Sequence, residues 1–399
     1  MKLTYRSTIL ACYNGYITQA ICINLAPLLY LTFQTEFGLS VGAISSLIAV
    51  NFAVQLLIDL IASRYAARMN LRFFAVLAHL LTSLGLVGLA WFPAIFPPYL
   101  ALLLAVSLLG MGGGFTEVLI SPLIEACPTE GKSGNMSLLH SFYCWGQAGV
   151  VLLSGVYFYF FDIASSWRYL PLLWTVVPLV GAVLFCIVPI YRLSSDSGEA
   201  EHASLGRLFR MPLFFCFLLI MLCAGASEMV MSQWSSAFAE SALQVSKAVG
   251  DLLGPCMFAL MMGTARTLYG VFSARLDLRR LMMLGCAGCA VSYLLAAFAP
   301  HPVLALLGCA LCGFSVGVFW PGTLSRASAA IPAGGMSMFA ILALAGDFGC
   351  LVGPSAAGGI ADLFGGDLHF AFGFALLFPI ACFAVLLFTN RNQKGERKE

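Results

Sequence analysis

Eight ionisable side chains interrupt apolar stretches of this chain: Asp59, His79, Glu117, His140, Glu228, Asp251, Arg266 and Asp347. An ionisable group surrounded by hydrocarbon is costly, so each needs a partner or a task. Glu117 shares one helical face with Gly110, Gly114 and Ser121, at i, i+4, i+7 and i+11. His140, Tyr143, Cys144 and Gln147 form a corresponding face on the next apolar run, beyond a short polar loop. That spacing puts Glu117 and His140 at similar depth and predicts that they meet. Such a carboxyl can take up and release a proton, since burial favours the neutral acid and a cationic neighbour favours the anion. The same pair could equally do no more than hold two helices together.

The other polar groups also fall into stripes. Glu228, Ser232, Ser235 and Ser236 share a face, with Gln233 and Trp234 beside it. These hydroxyls suit a polyhydroxy solute, or a clasp between helices. Asp347 lies midway along a run that continues through Cys350 to Gly353-Pro354, and Gln19 and Asn24 lie nearest the middle of the first run. Asn51, Gln55 and Asp59 recur at i, i+4 and i+8. Trp145, Trp234 and Trp320 are candidates for stacking on a sugar ring or for plain packing. The Cys286/Cys289 and Cys309/Cys312 pairs have no His or Asp neighbour, so neither a metal nor another cofactor is expected. No nucleotide-binding motif occurs, and the net charge of +2 gives no reason to expect a nucleic-acid partner.

The elements that must position these groups are membrane spans. The chain has 399 residues, 61% hydrophobic and 10% charged, against roughly 25% charged in a soluble globular protein. A span needs about 20 apolar residues. Twelve runs qualify: Thr8–Phe33, Val41–Ala62, Phe73–Phe92, Pro98–Pro122, Met136–Phe161, Trp167–Ile190, Met211–Phe238, Ser246–Ser273, Leu281–Phe298, Pro302–Ser325, Met336–Ile360 and Phe370–Phe388. Lys2 and Arg6 precede a first run too long and too polar for a cleaved leader. Of the 20 Lys and Arg residues, only Arg168 and Lys247 fall in outward loops when the N-terminus is inside, and Arg266 lies within a span. Both termini are therefore expected in the cytoplasm.

The polar stretch 192–210 divides the chain into six-span halves, 1–191 and 211–399, the latter with a short cytoplasmic tail. At an offset of 203–207 residues, Arg68-Met-Asn-Leu-Arg72 matches Arg275-Leu-Asp-Leu-Arg279. Gly110, Gly114, Gly146 and Gly155 match Gly313, Gly317, Gly349 and Gly358. A repeat at this period marks two parallel six-helix units. Asp59 aligns with Arg266, which suggests two inner latches: Asp59 at the N-terminus of the eleventh span and Arg266 on Glu125.

The basic loops after the second and eighth spans and the segment Asp59-Leu-Ile-Ala-Ser-Arg64-Tyr-Ala-Ala-Arg68 resemble the major facilitator superfamily, over nearly the whole chain. Within it, Gly112-Gly-Gly-Phe-Thr-Glu117-Val-Leu-Ile-Ser-Pro122 and Asn135-Met-Ser-Leu-Leu-His140 resemble the fucose:proton symporter and sodium–glucose carrier branch. The run Ile23-Asn24-Leu-Ala-Pro27 lacks the carboxylate of that branch.

The resemblance implies an all-α membrane protein, twelve helices in two pseudo-symmetric bundles, working as a monomeric carrier rather than an enzyme. It implies a small polar solute, a sugar, moved with a proton by alternating access across a bacterial inner membrane. Sodium is the alternative ion, and export of amphipathic compounds or lipids the alternative function. Glu117 and His140 would couple the proton; Gln19, Asn24, Tyr143, Gln147, Glu228, Ser232, Trp234, Trp320 and Asp347 would line the solute site. Asp59, Arg64, Arg68, Glu125 and Arg266 would gate it.

Overall fold

A computed structural model describes residues 3–65, 69–193, 205–241, 252–299 and 301–395. Every regular element is helical, with no strand among the described residues. In chain order the helices are α1 (Tyr5–Phe37), α2 (Val41–Tyr65), α3 (Leu71–Trp91), α4 (Pro98–Ala126), α5 (Lys132–Phe160), α6 (Tyr169–Trp174) and α7 (Val176–Ile187). They continue as α8 (Pro212–Ser241), α9 (Met257–Phe272), α10 (Leu278–Phe298), α11 (Pro302–Val316), α12 (Phe319–Ala330), α13 (Gly335–Leu363), α14 (Leu368–Ala375) and α15 (Leu377–Gly395). Single turns at Ile163–Ser166 and Leu205–Leu208, 3-10 turns at Phe92–Ala94 and Pro332–Gly334 and a π-helical turn at Leu252–Cys256 complete the set.

Nine segments among the described residues are long and apolar enough to cross a bilayer. The three remaining expected runs correspond to α2, α5 and the stretch entering α9. Two of them are diluted by the polar groups noted above: α2 carries Asn51, Gln55 and Asp59, and α5 carries His140 and Gln147. The third begins within residues 242–251, Asp251 among them, which lie outside the described residues, as does Arg68.

Three expected spans are interrupted, and each break lies four residues before a proline. The α6 helix ends at Trp174 before Pro178, α11 is capped at Gly317 before Pro321, and α14 ends at Ala375 before Pro379. Proline has no N–H to return to the carbonyl four residues back, so each helix loses a bond there. The carbonyl of Gly317 is thereby left available to a side chain.

The chain divides into two compact units. One comprises Met1–Glu130, Phe142–His202 and Gly335–Ala340; the other comprises Gly131–Ser141, Ala203–Gly334 and Ile341–Glu399. In the first, Leu25, Leu29 and Phe33 of α1 form a core with Leu86 of α3, Leu102 and Leu109 of α4, and Trp167.

The repeat seen in the sequence is a repeat of helix contacts. In the first unit a Cβ on Gly110 would lie 2.6 Å from the Asn51 carbonyl, and one on Gly114 would lie 2.9 Å from Ile58 Cβ, so α4 rides directly on α2. In the second, Gly313 meets the Phe258 backbone and Gly317 meets Ala265, pressing α11 and its end onto α9. Gly146 seats α5 on Ile17 and Ala20 of α1, as Gly349 seats α13 on the Leu222 backbone of α8. Gly155 and Gly358 do not share a contact: Gly155 is open, whereas Gly358 faces Trp234.

The matched basic segments repeat a cap. Asn70 accepts the Phe73 N–H and Asp277 accepts the Arg280 N–H, starting α3 and α10. The following arginines then each reach a carbonyl of another helix in their own unit. Arg72 donates to the carbonyls of Phe185, Cys186 and Val188 at 2.6–2.9 Å, Phe185 being four residues before Pro189. Arg279 donates to Leu386 O at 3.4 Å.

Replacing Gly349 by Ala should force α13 off α8 and lower stability by about 1–3 kcal/mol, read as a drop in melting temperature. Gly359→Ala on the same helix, where an added Cβ meets nothing within 4 Å, should show no such drop.

Candidate functional site

In the first unit, the glycines before Glu117 let α4 approach its neighbours closely, and Glu117 itself is buried. Its Oε2 accepts two amide hydrogens, from Gln19 Nε2 of α1 at 2.7 Å and from Gln55 Nε2 of α2 at 2.6 Å. One turn further along α4, Ser121 Oγ is 2.8 Å from Tyr16 OH of α1. Asn51, one turn from Gln55, donates to Val106 O at 3.1 Å. Three helices are thus tied together at one carboxylate. The Oε1 atoms of Gln19 and Gln55 are buried and accept no hydrogen bond among the described residues.

The α2 and α4 stripes of the sequence therefore meet here, but with partners that spacing alone did not select. Gln55 and Tyr16 belong to the site although neither was among the expected site residues. Their signal was present: Tyr16 and Gln19 are three apart on α1, and Gln55 heads toward Asp59 on the α2 stripe. Asn24 turns back to its own helix, donating to Ala20 O at 2.8 Å. Tyr143 and Gln147 are half-buried on the part of α5 that belongs to this unit, while Trp145 is exposed. Asp59 is fully buried near the end of α2, Glu125 is buried at the end of α4, and Arg64 is exposed.

His79 is fully buried, with Nδ1 2.7 Å from Ala75 O of its own helix. Gly181 of α7 leaves the space that the His79 ring and the Asn14 side chain occupy. It belongs to a packing contact of α1, α3 and α7.

The second unit holds a buried ion pair. Arg266 Nη2 of α9 lies 3.0 Å from Glu228 Oε2 of α8, with side-chain exposures of 3% and 15%. Arg266 Nε donates to Gly317 O at 2.9 Å, the carbonyl released by Pro321, and Nη1 donates to His140 O at 3.3 Å. Ser137 Oγ donates in turn to Arg266 O at 2.8 Å. His140 Nδ1 is 3.0 Å from Met136 O within its own helix.

Glu228 falls near the middle of α8, and the long arginine side chain brings its head to that level. The Glu228 carboxylate is thus part of a salt bridge, and its serine stripe splits. Ser232 is half-buried, while Ser235 is buried where α8 meets Gly254 of the π-helical turn. The side chain of Ser236 lies outside the described set.

Both tryptophans expected to line a solute site are engaged in packing. Trp234 Nε1 donates to Pro354 O at 3.1 Å, and its ring covers Gly358, so it bolts α8 to α13. The Trp320 ring lies on Gly346. Asp347, next to that glycine, is half-buried on α13. No group of three or more potential metal ligands occurs among the described residues.

The family model for the Major Facilitator Superfamily matches residues 8–333 and 242–399. The chain belongs to the major facilitator superfamily; it is a transporter and an integral membrane protein, not an enzyme. No curated protein matches it in sequence. Among solved structures it is similar to the fucose:proton symporter in the outward conformation, at 14% identity and a TM-score of 0.81, covering 96% of this chain and 99% of that one. A variant of the E. coli fucose:proton symporter matches with 14% identity and a TM-score of 0.78, over 97% and 99% of the two chains. The proton:xylose symporter bound to 6-bromo-6-deoxy-D-glucose matches with 17% identity and a TM-score of 0.80, over 97% and 95%. At these identities the likeness establishes the fold.

Proposed function

We propose that the chain is a secondary carrier that moves a small polar solute of the sugar class together with a proton. In this reading it works by alternating access in a bacterial inner membrane, with six spans in each half and both termini in the cytoplasm. Glu117 is the coupling group. The observation that supports it is the pair of glutamine amides on one buried carboxylate oxygen.

A primary amide carries both donors and an acceptor. Facing the anion, Gln19 and Gln55 each present an N–H. Once Glu117 is protonated, its O–H can donate to a Gln Oε1, an atom that has no partner among the described residues when the N–H groups are used. The two side chains can therefore satisfy the carboxyl in both protonation states by rotation, which an arginine or lysine neighbour could not do. A proton can then be gained or lost without stranding a buried polar group. Gln19, Asn24, Tyr143 and Gln147 in the first half, with Glu228, Ser232 and Asp347 in the second, are the groups proposed to meet the solute's hydroxyls. His140 is proposed to assist the proton transfer, and Asp59, Arg64, Arg68, Glu125 and Arg266 to act in gating. The sugar and proton named for the structural neighbours support this choice of solute and ion.

The test is uptake of a sugar panel into liposomes containing the purified protein, in sodium-free medium, with the outside made acidic. Accumulation that collapses when the proton gradient is discharged is the expected result. Accumulation that needs sodium and ignores the pH difference would replace the proton by sodium; no accumulation of any sugar would remove the solute class.

A further inference from the structure

We propose that Arg279 and Arg326, at one end of the second unit, form a binding site for a phosphate-bearing anion. The two guanidinium groups converge on a short piece of α15. Arg279 Nη2 reaches Leu386 O and Arg326 Nη2 reaches Thr389 Oγ1, each at 3.4 Å, and Thr389 Oγ1 itself donates to Leu386 O at 2.9 Å. Both bonds are at the long limit for a hydrogen bond. Arg279 Nε and Arg326 Nη1 are buried and have no acceptor among the described residues. The Arg326 guanidinium also lies over the Phe217 ring, 5.9 Å from its centroid, on the side facing α8.

The charges are not balanced from within. Arg326 feels the positive charge of Arg279, and the acid that acts on it is Asp277. One oxygen of Asp277 already caps α10 at the Arg280 N–H, 2.7 Å away. Two neighbouring cations with buried, unused N–H donors call for an anion with several acceptor oxygens. Forked guanidinium donors match a phosphate group in geometry as well as charge.

The first unit supplies an internal comparison. Arg72, the repeat counterpart of Arg279, spends its donors on three carbonyls at 2.6–2.9 Å. The offset that pairs Gly313 with Gly110 pairs Arg326 with Leu123, so that unit has no second arginine there. The same scaffold thus satisfies its arginine in one half and leaves arginine donors unmet in the other. Basic pockets between helices at the cytoplasmic side are where phospholipid head groups bind. Free inorganic phosphate offers the same chemistry.

The experiment compares the melting temperature of the purified full-length protein in detergent with added phosphatidylglycerol, phosphatidylcholine or inorganic phosphate. A ligand that binds only the folded state raises it. Phosphatidylglycerol should give a rise of several degrees that phosphatidylcholine does not. Arg279→Gln and Arg326→Gln should each remove most of that rise, Arg326→Lys should keep part of it, and Arg192→Gln, an exposed charge-matched control, should keep all of it. A rise produced equally by inorganic phosphate supports the site with the free ion as its source. An equal response to phosphatidylcholine, or a phosphatidylglycerol response that survives in the Arg279→Gln/Arg326→Gln double variant, overturns the proposal. Melting of each variant without additive separates loss of binding from loss of folding.

Discussion

Glu117→Gln is expected to abolish accumulation of solute against its gradient while leaving the protein folded. A proton gradient of about one pH unit is worth roughly 1.4 kcal/mol, enough for about tenfold accumulation of a neutral solute with one proton. The variant should therefore fall from that level to simple equilibration, and its uptake should no longer respond to an imposed pH difference. Folding should survive because a glutamine at 117 still accepts an N–H. Its own amide hydrogens meet Gln19 Oε1 and Gln55 Oε1, atoms that have no partner among the described residues. The melting temperature should change little, and counterflow exchange of labelled solute should persist. Concentrative uptake at the wild-type level would take the coupling role away from Glu117. Loss of exchange as well, with the melting temperature unchanged, would make it a solute ligand instead.

Arg266→Met and Glu228→Leu should each destabilise the protein strongly, by about 3–5 kcal/mol, because each leaves a buried charge without its counterion. Removing Arg266 should also free the Gly317 carbonyl that Pro321 cannot satisfy. The double replacement Arg266→Met/Glu228→Leu should recover much of the loss, since a buried pair contributes little beyond what well-packed apolar groups supply. Thermal unfolding of the four proteins closes the cycle. Additive losses would mean that the two side chains act independently, contrary to their 3.0 Å separation.

What could be read in the sequence depended on whether a signal was carried by one helix or by two. The stripes on α2, α4 and α8 were legible because they repeat at the helical period, and the matched glycines were legible as a repeat. That three of the four matched glycine pairs face equivalent helices had to come from the packing. The partners of Glu117 were visible as polar residues on α1 and α2, but nothing in spacing says which face of one helix meets which face of another.

The glycine contacts of Trp234 and Trp320 could not be read for the same reason, since spacing along one helix does not name the helix opposite. Arg266 pairs with Glu228 across two helices, and spacing along either one did not select that partner. Its Gly317 contact was nonetheless written in the chain, as Pro321 leaves that carbonyl without a helical partner. The expected latches of Asp59 and of Arg266 with Glu125, and the meeting of Glu117 with His140, remain proposals.

The two halves repeat their glycine contacts yet treat their acids oppositely. One carboxylate is met by neutral groups that can turn over, and the other by a permanent cation with no second orientation to offer. Duplication has thus preserved the mould and changed the filling. The acid of the Glu228 half has a fixed counterion, whereas in the mechanism proposed above the change of charge falls to Glu117.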